Sequence, residues 1–227
     1  MDGMERMERP KSGTVPPVPD GQGSRKTDNE GGDARYAGAR LVHDEGAEVN
    51  SVTTPTLEET VAFAAAVHAG QLDKAGEEYI GHPIRVQART ERTAPAAGVD
   101  AEHAQLAALL HDVVEDTPVT LADLAARGYP PQVVAAVDAL TKRPGEATKA
   151  YLSRVAANPL AVVVKRADMA DNSDPVRLAR LPAEQADRLA TRYAGRRALL
   201  EDLVTAATAV TVLGTAVTET TRTDEAD

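Results

Sequence analysis

Between residues 55 and 213, apolar positions return every three or four residues, the period of helices with one buried face. Thr56, with Glu59 three residues on, is a capping-box signature ahead of LEETVAFAAAVHAGQ. His82-Pro83 opens PIRVQARTERT, since proline suits a first helical turn. Asp100 can cap AEHAQLAALLHDVVED as one helix over 101–116, and Thr120 can cap LADLAARG, which stops at Gly128. Pro130-Pro131 begins QVVAAVDALTKR, Glu146 lies near the start of ATKAYLSRVAAN, and Pro159 opens LAVVVKRADMADN. A long helix follows Pro182 to about Val212, with Leu189, Tyr193, Leu200, Leu203 and Ala207 at helical spacing. The branched run LAVVVK suits a strand, but no second strand exists to pair with it. The pattern predicts an all-α bundle of seven or eight helices.

Outside that region the pattern stops. Residues 1–54 hold eight of the sixteen glycines, many charges and almost no apolar clustering. Such a segment cannot bury enough surface to offset its ordering entropy. Residues 1–54, with His43 an unremarkable member, and 214–227 are therefore expected to be disordered tails around one domain, 55–213. No repeat at solenoid periods is visible.

Composition removes several functions. The chain has no cysteine, which excludes disulfides, thiolate metal sites and cysteine nucleophiles. Its formal net charge of −10 argues against a general nucleic-acid or anionic-membrane binder, though not against a local basic pocket for a small phosphorylated ligand. No apolar run approaches the roughly 18 residues of a membrane span. The first residues carry charges but no apolar core of a signal peptide, so a cytoplasmic address is expected.

The chemistry concentrates in LLHDVVEDT, residues 109–117. Acids and imidazoles interrupt a run otherwise built for burial, which is costly unless something pairs with them. His111 and Glu115 are four apart, as are Asp112 and Asp116, so a helix gathers an imidazole and three carboxylates on adjoining faces. That donor set suits a divalent Mn, Fe or Zn ion, whose charge would relieve the crowding. His82 precedes His111 by 29 residues, and Asp168, in a strongly apolar segment, follows Asp112 by 56.

This His…His-Asp…Asp order resembles the HD phosphohydrolase superfamily. HAGQLDKAGEEYIGHPIRV, LAALLHDVVEDT and VVVKRADMADN are together similar to the hydrolase domain of the RelA/SpoT alarmone enzymes, and most to their small stand-alone members. The resemblance covers about 62–200 and implies an HD-domain helical bundle. It implies that His82, His111, Asp112 and Asp168 hold one Mn²⁺ and that Glu115 and Asp116 position and activate the attacking water. It also implies that Lys74 lies beside the base and phosphate and that Asn172 supports the sugar. The reaction implied is removal of the 3′-pyrophosphate of (p)ppGpp, with a small nucleotide as partner rather than nucleic acid or membrane.

Two positions depart from the pattern. Asp73 stands where the family usually has an arginine before the Lys74 position, and Met169 follows Asp168 where an arginine is common. These leave open (p)ppApp or NADPH as substrate, or a nucleotide-binding regulator without turnover. Among the remaining polar residues, Asp168 alternatively pairs with Lys165 or Arg166, and Asn172 alternatively caps a helix. His68 is expected to pack or hydrogen-bond, and His103 to lie at the surface. Lys142 and Arg143 suit a phosphate or a solvated turn equally, and Arg188, Arg192 and Arg196 form a solvated stripe.

Overall fold

The computed structural model describes residues 53–223, with side chains to 209; the expected N-terminal tail lies outside these residues except for its last two. Ten α-helical segments follow one another: α1 (Leu57–Val67), α2 (Gly81–Thr93), α3 (Ala101–Leu110), α4 (Val113–Asp116), α5 (Leu121–Ala126), α6 (Pro131–Leu140), α7 (Thr148–Ala156), α8 (Pro159–Asn172), α9 (Pro175–Leu178) and α10 (Ala183–Thr223). A single 3-10 turn, Pro95–Ala97, joins α2 to α3. Two of the ten, α4 and α9, are single turns of four residues, so the expected all-α bundle of seven or eight helices is the architecture found. The described residues contain no strand beyond an isolated bridge between Leu72 and Glu78, and LAVVVK is helical within α8.

The boundaries follow local chemistry. Thr56 and Glu59 form the full capping box of α1, and Thr120 with Asp123 forms a second at α5. Asp100 accepts from the His103 N–H to start α3, while Asn158 accepts from Ala161 ahead of Pro159 in α8. Gly128, at φ +87°, supplies the left-handed turn that lets the chain leave α5.

Three elements differ from the pattern's expectation. The helix expected over 101–116 is broken: α3 ends at Leu110 and α4 starts at Val113. The cause is the His111 side chain, whose Nδ1–H donates to the Ala108 carbonyl at 2.7 Å. That carbonyl would otherwise accept from Asp112, and Asp112 instead adopts φ −106°, ψ −5°. The second difference is α9, a turn capped by Asp174 and primed by Pro175. Third, α10 runs past Val212 to Thr223, into the stretch expected as a tail. Extending an existing helix costs far less than nucleating one, and no proline interrupts 210–223.

At the centre lies α3, flanked by α1, α2, α6 and α8. Ala104 and Leu106 through Leu110 are all buried, so this helix is apolar nearly all round, as a central helix must be. Val86 from α2, Val133 and Val137 from α6, and Val164 and Met169 from α8 complete the core around it. None of the described helices is long and apolar enough to cross a membrane.

Candidate metal centre and active site

Three helices deliver the polar cluster. His82 is the second residue of α2, His111 follows the last residue of α3, and Asp168 lies in the second half of α8. Both imidazoles and Asp168 are buried, and the two rings meet edge to face with centroids 5.2 Å apart.

The hydrogen bonds settle which ring nitrogen carries a proton. A backbone carbonyl only accepts, so His111 Nδ1 must be the protonated nitrogen against Ala108. His82 Nδ1 likewise faces a carboxylate oxygen, Asp171 Oδ2, at 2.8 Å. In both neutral rings Nε2 is therefore a bare lone pair. These two lone pairs point toward carboxylates: His82 Nε2 is 3.2 Å from Asp168 Oδ1 and 3.8 Å from Asp112 Oδ2. His111 Nε2 is 2.9 Å from Asp112 Oδ2 and 3.9 Å from Asp168 Oδ1, and it is buried without a hydrogen-bond partner.

Acceptors converging on acceptors need a cation among them. Where only protons serve, burial opposes charge on His82, but Asp168, Asp171 and Asp112 outweigh it and hold the ring up to about 9. A divalent ion meets the same demand without protonating the rings. Ligand atoms of His82, His111 and Asp112 lie within 4.8 Å of one another, and Asp168 Oδ1 stands within 3.9 Å of both imidazole nitrogens. The donor set fits a borderline-to-hard divalent cation.

The surrounding residues aim these ligands. Asp168 divides its oxygens: Oδ2 takes the Lys165 ammonium at 2.7 Å, leaving Oδ1 to face the imidazoles. Burial would raise the Asp168 carboxyl, but Lys165 and the two histidines hold it well below the usual range. The alternative expected from sequence, an Asp168–Lys165 pair, thus coexists with the ligand geometry. Asn172 Nδ2 donates to the same Oδ1, and the Tyr79 hydroxyl donates to Asp112 Oδ2. Burial, then Asp112, raises the Tyr79 phenol well above its ordinary value, so it remains a donor. Tyr79 and Asp171 carry no mark along the sequence that singles them out as site residues.

Beside the cluster stand the two acids of α4. Glu115 Oε2 accepts the Lys142 backbone N–H at 2.7 Å, tying the α6–α7 connection to the site. Lys142 thus takes part through its main chain, and its charge also favours the Glu115 carboxylate. Partial burial raises the Glu115 carboxyl despite that bond. Asp116 is pushed up to about 7 by loss of hydration, then by the charges of Asp112 and Glu115. Its side chain still opens to solvent. Gln71 reaches the region from the other side, donating to the Asp116 carbonyl at 3.1 Å and accepting from His68 Nδ1 at 2.8 Å. His68 is buried against Tyr79, the packing and hydrogen-bonding role expected for it.

Lys74 is exposed in the turn between α1 and α2. Its neighbour Asp73 is turned inward: Oδ1 accepts from the Ala75 and Glu77 N–H groups, and Oδ2 from Arg177 at 2.8 Å. Arg188 pairs with Glu184 on the exposed side of α10, in keeping with a solvated stripe.

Comparison with known proteins agrees with this geometry. The HD domain model matches residues 79–173, which include His82, His111, Asp112 and Asp168. A GTP pyrophosphokinase from Streptomyces coelicolor is 31% identical over 196 residues, covering 75% of this chain and 22% of the relative. The zebrafish (Danio rerio) guanosine-3′,5′-bis(diphosphate) 3′-pyrophosphohydrolase MESH1 is 41% identical over 78 residues, 34% of this chain and 42% of its own. A solved structure described as a metazoan ortholog of SpoT that hydrolyses ppGpp aligns at 26% identity with a TM-score of 0.49, over 68% of this chain and 96% of its own. The chain thus spans less than half the length of these two curated relatives. The matched segment, residues 79–173, carries both histidines and both aspartates of the cluster, and over this region the chain is similar to an HD domain and to the GTP pyrophosphokinase and 3′-pyrophosphohydrolase relatives above.

Proposed function

We propose that the domain is a Mn²⁺-dependent phosphohydrolase that removes the 3′-pyrophosphate of (p)ppGpp or a related alarmone, releasing pyrophosphate in the cytoplasm. The observation that carries this reading is the convergence of the buried His82 and His111 Nε2 atoms on the carboxylates of Asp112 and Asp168. Relatives named as guanosine-3′,5′-bis(diphosphate) 3′-pyrophosphohydrolases support the substrate class.

His82, His111, Asp112 and Asp168 would hold the ion. When bound, it supplies Lewis-acid polarisation of a phosphoryl oxygen and a more acidic water. The protein's own groups then handle protons. Hydrolysis takes one proton from the attacking water and returns one to the departing 3′ oxygen. Asp116, pushed up to about 7, exchanges a proton readily at neutral pH. Glu115, held by the Lys142 N–H, keeps a fixed carboxylate beside it. Two crowded acids, both raised and Asp116 to about 7, would divide base and acid roles. Lys74 would meet the phosphates. Asn172, whose amide nitrogen holds Asp168, would offer its amide oxygen to the ribose.

The test is a Mn²⁺-replete panel of ppGpp, ppApp and NADPH, with product release followed by chromatography. Pyrophosphate from ppGpp is expected, and the relative rate on ppApp reports base preference. A protein that leaves all three intact is no hydrolase of this kind. Tight nucleotide binding in that same sample would point to a regulator without turnover.

A further inference from the structure

We propose that Asp73, Arg177 and Asp171 form a hydrogen-bonded relay that joins the Lys74 turn to the metal ligand His82, so that metal affinity and the order of that turn rise and fall together. The relay rests on the metal reading above. Every link in it is a direct contact between residues of this chain.

The inner end is Asp171, fully buried and one turn from Asp168's side of α8. Its Oδ2 accepts from His82 Nδ1 at 2.8 Å, the bond that leaves Nε2 bare for a cation. Carboxylates behind a ligating imidazole fix its tautomer and orientation and raise its basicity. The same Oδ2 accepts from Arg177 Nη1 at 2.5 Å, while Oδ1 accepts from Arg85 Nε at 3.0 Å.

The outer end is Asp73. Arg177 spans the gap, since its second terminal nitrogen, Nη2, donates to Asp73 Oδ2 at 2.8 Å. One planar guanidinium thus holds two carboxylates in register, which a lysine cannot do. The other Asp73 oxygen accepts from Ala75 N at 2.8 Å and Glu77 N at 3.1 Å, so the turn carrying Lys74 closes on this side chain. Asp73 is therefore an internal anchor with its charge met by Arg177, rather than an acid presented to a substrate. Burial would raise its carboxyl, but the two N–H groups and Arg177 keep it below its ordinary value.

Two details show that the arrangement is tight. Arg85 Nη2 is buried without a hydrogen bond, 4.0 Å from Asp73 Oδ2, as an arm that a small shift of the turn would engage. A Cβ at Gly81, the residue before His82, would stand 3.1 Å from Arg85 Nη1. The guanidinium layer passes closely over the start of α2. A cation that fixes His82 therefore fixes Asp171, Arg177 and the turn, and a ligand held by the turn strengthens the metal site by the same free energy.

The experiment measures Mn²⁺ affinity of the metal-free full chain by calorimetry, alongside amide exchange of Ala75 and Glu77 with and without Mn²⁺. Asp171→Asn is expected to weaken Mn²⁺ binding by about 10–100-fold. Asp73→Asn keeps acceptors for the turn but loses its charge to Arg177, and should weaken binding by about threefold, on the scale of a mutation within one coupled network. In the double variant Asp73→Asn should add nothing further to Asp171→Asn. Mn²⁺ should slow exchange at Ala75 and Glu77 in the wild type and leave it unchanged in Asp171→Asn. Melting curves of the metal-free variants separate these effects from loss of fold. Wild-type Mn²⁺ affinity in Asp171→Asn, strictly additive effects, or exchange at the turn that ignores the metal would overturn the relay while leaving the metal site intact. A wild-type protein that takes up no Mn²⁺ would defeat the metal reading itself, and the relay with it.

Discussion

Two ionic clusters in this bundle show opposite design. Around α6 and α7, Arg154 and Glu146 pair through two parallel bonds and find further partners on the backbone. Nε and Nη2 of Arg154 donate to the two Glu146 oxygens at 2.9 and 2.7 Å, and the remaining N–H groups reach the Asp138 and Thr141 carbonyls at 2.8 Å. Between α2, α3 and α8, by contrast, imidazole lone pairs face carboxylates, and His111 Nε2 has no hydrogen bond. Charged groups paired with opposite charge and backbone are architecture. Charged groups left facing their own kind are poised for a ligand, because such crowding persists only where something else relieves it.

The largest expected effect breaks the unsatisfied cluster. His111→Ala or Asp168→Asn should abolish Mn²⁺ uptake in calorimetry and reduce pyrophosphate release by on the order of a thousandfold or more, since the ion contributes several kcal/mol to such barriers. Next come the acids of α4. Glu115→Gln and Asp116→Asn should each lower kcat by roughly 10²–10⁴-fold while Mn²⁺ affinity is retained. Asp116→Asn should also raise the melting temperature of the metal-free protein at pH 8, because it removes a carboxylate that its neighbours disfavour.

The satisfied cluster should answer in the other currency. Arg154→Met leaves Glu146 with only the Arg143 N–H and takes the guanidinium from two carbonyls, and should cost about 2–3 kcal/mol in denaturant unfolding, with kcat nearly unchanged.

The smallest effects are in pH dependence, and the two clusters should differ in direction. Arg154 draws the Glu146 carboxyl down to about 2, so the stability it contributes is present above its ordinary pKa near 4.5 and lost as pH falls toward 2. His82, held up to about 9, contributes stability that is present below 6.5 and lost as pH rises through 9. Asp116, raised to about 7, adds a loss in the same direction between about 4 and 7. Thermal melts of the metal-free protein should therefore fall from neutral pH to about 9.5, and Mn²⁺ should flatten that fall by replacing the proton. A metal-free curve that is level over this range would mean that His82 is not gripped by its carboxylates.

Much of this was legible along the chain, for local reasons. Thr56, Asp100, Thr120 and Pro159 announce helix starts because caps act within one turn. His82, His111, Asp112 and Asp168 stood out because ionisable residues amid Leu and Val are costly anywhere in a core. The break at His111 was not legible, since nothing in the spacing says that the imidazole will take the Ala108 carbonyl. Tyr79, Asp171 and Arg177 were equally silent. Each is an ordinary polar residue until another helix comes within 3 Å of it. Asp73 stood out in the sequence only as an acid where the family usually has an arginine, and the structure turns it inward onto Arg177, 104 residues away.

Composition and periodicity alone thus determined an all-helical bundle, its main helix starts and the ingredients of its chemistry, because propensity, capping and burial cost are set by neighbours a few residues apart. Which nitrogen of each histidine is bare, which oxygen of Asp168 is left for a ligand and what Asp73 is bonded to were decided only by the tertiary structure. Hydrogen bonds and charge interactions depend on distances of a few ångströms between groups far apart in sequence, and only the packing of α2, α3 and α8 around one point sets those distances.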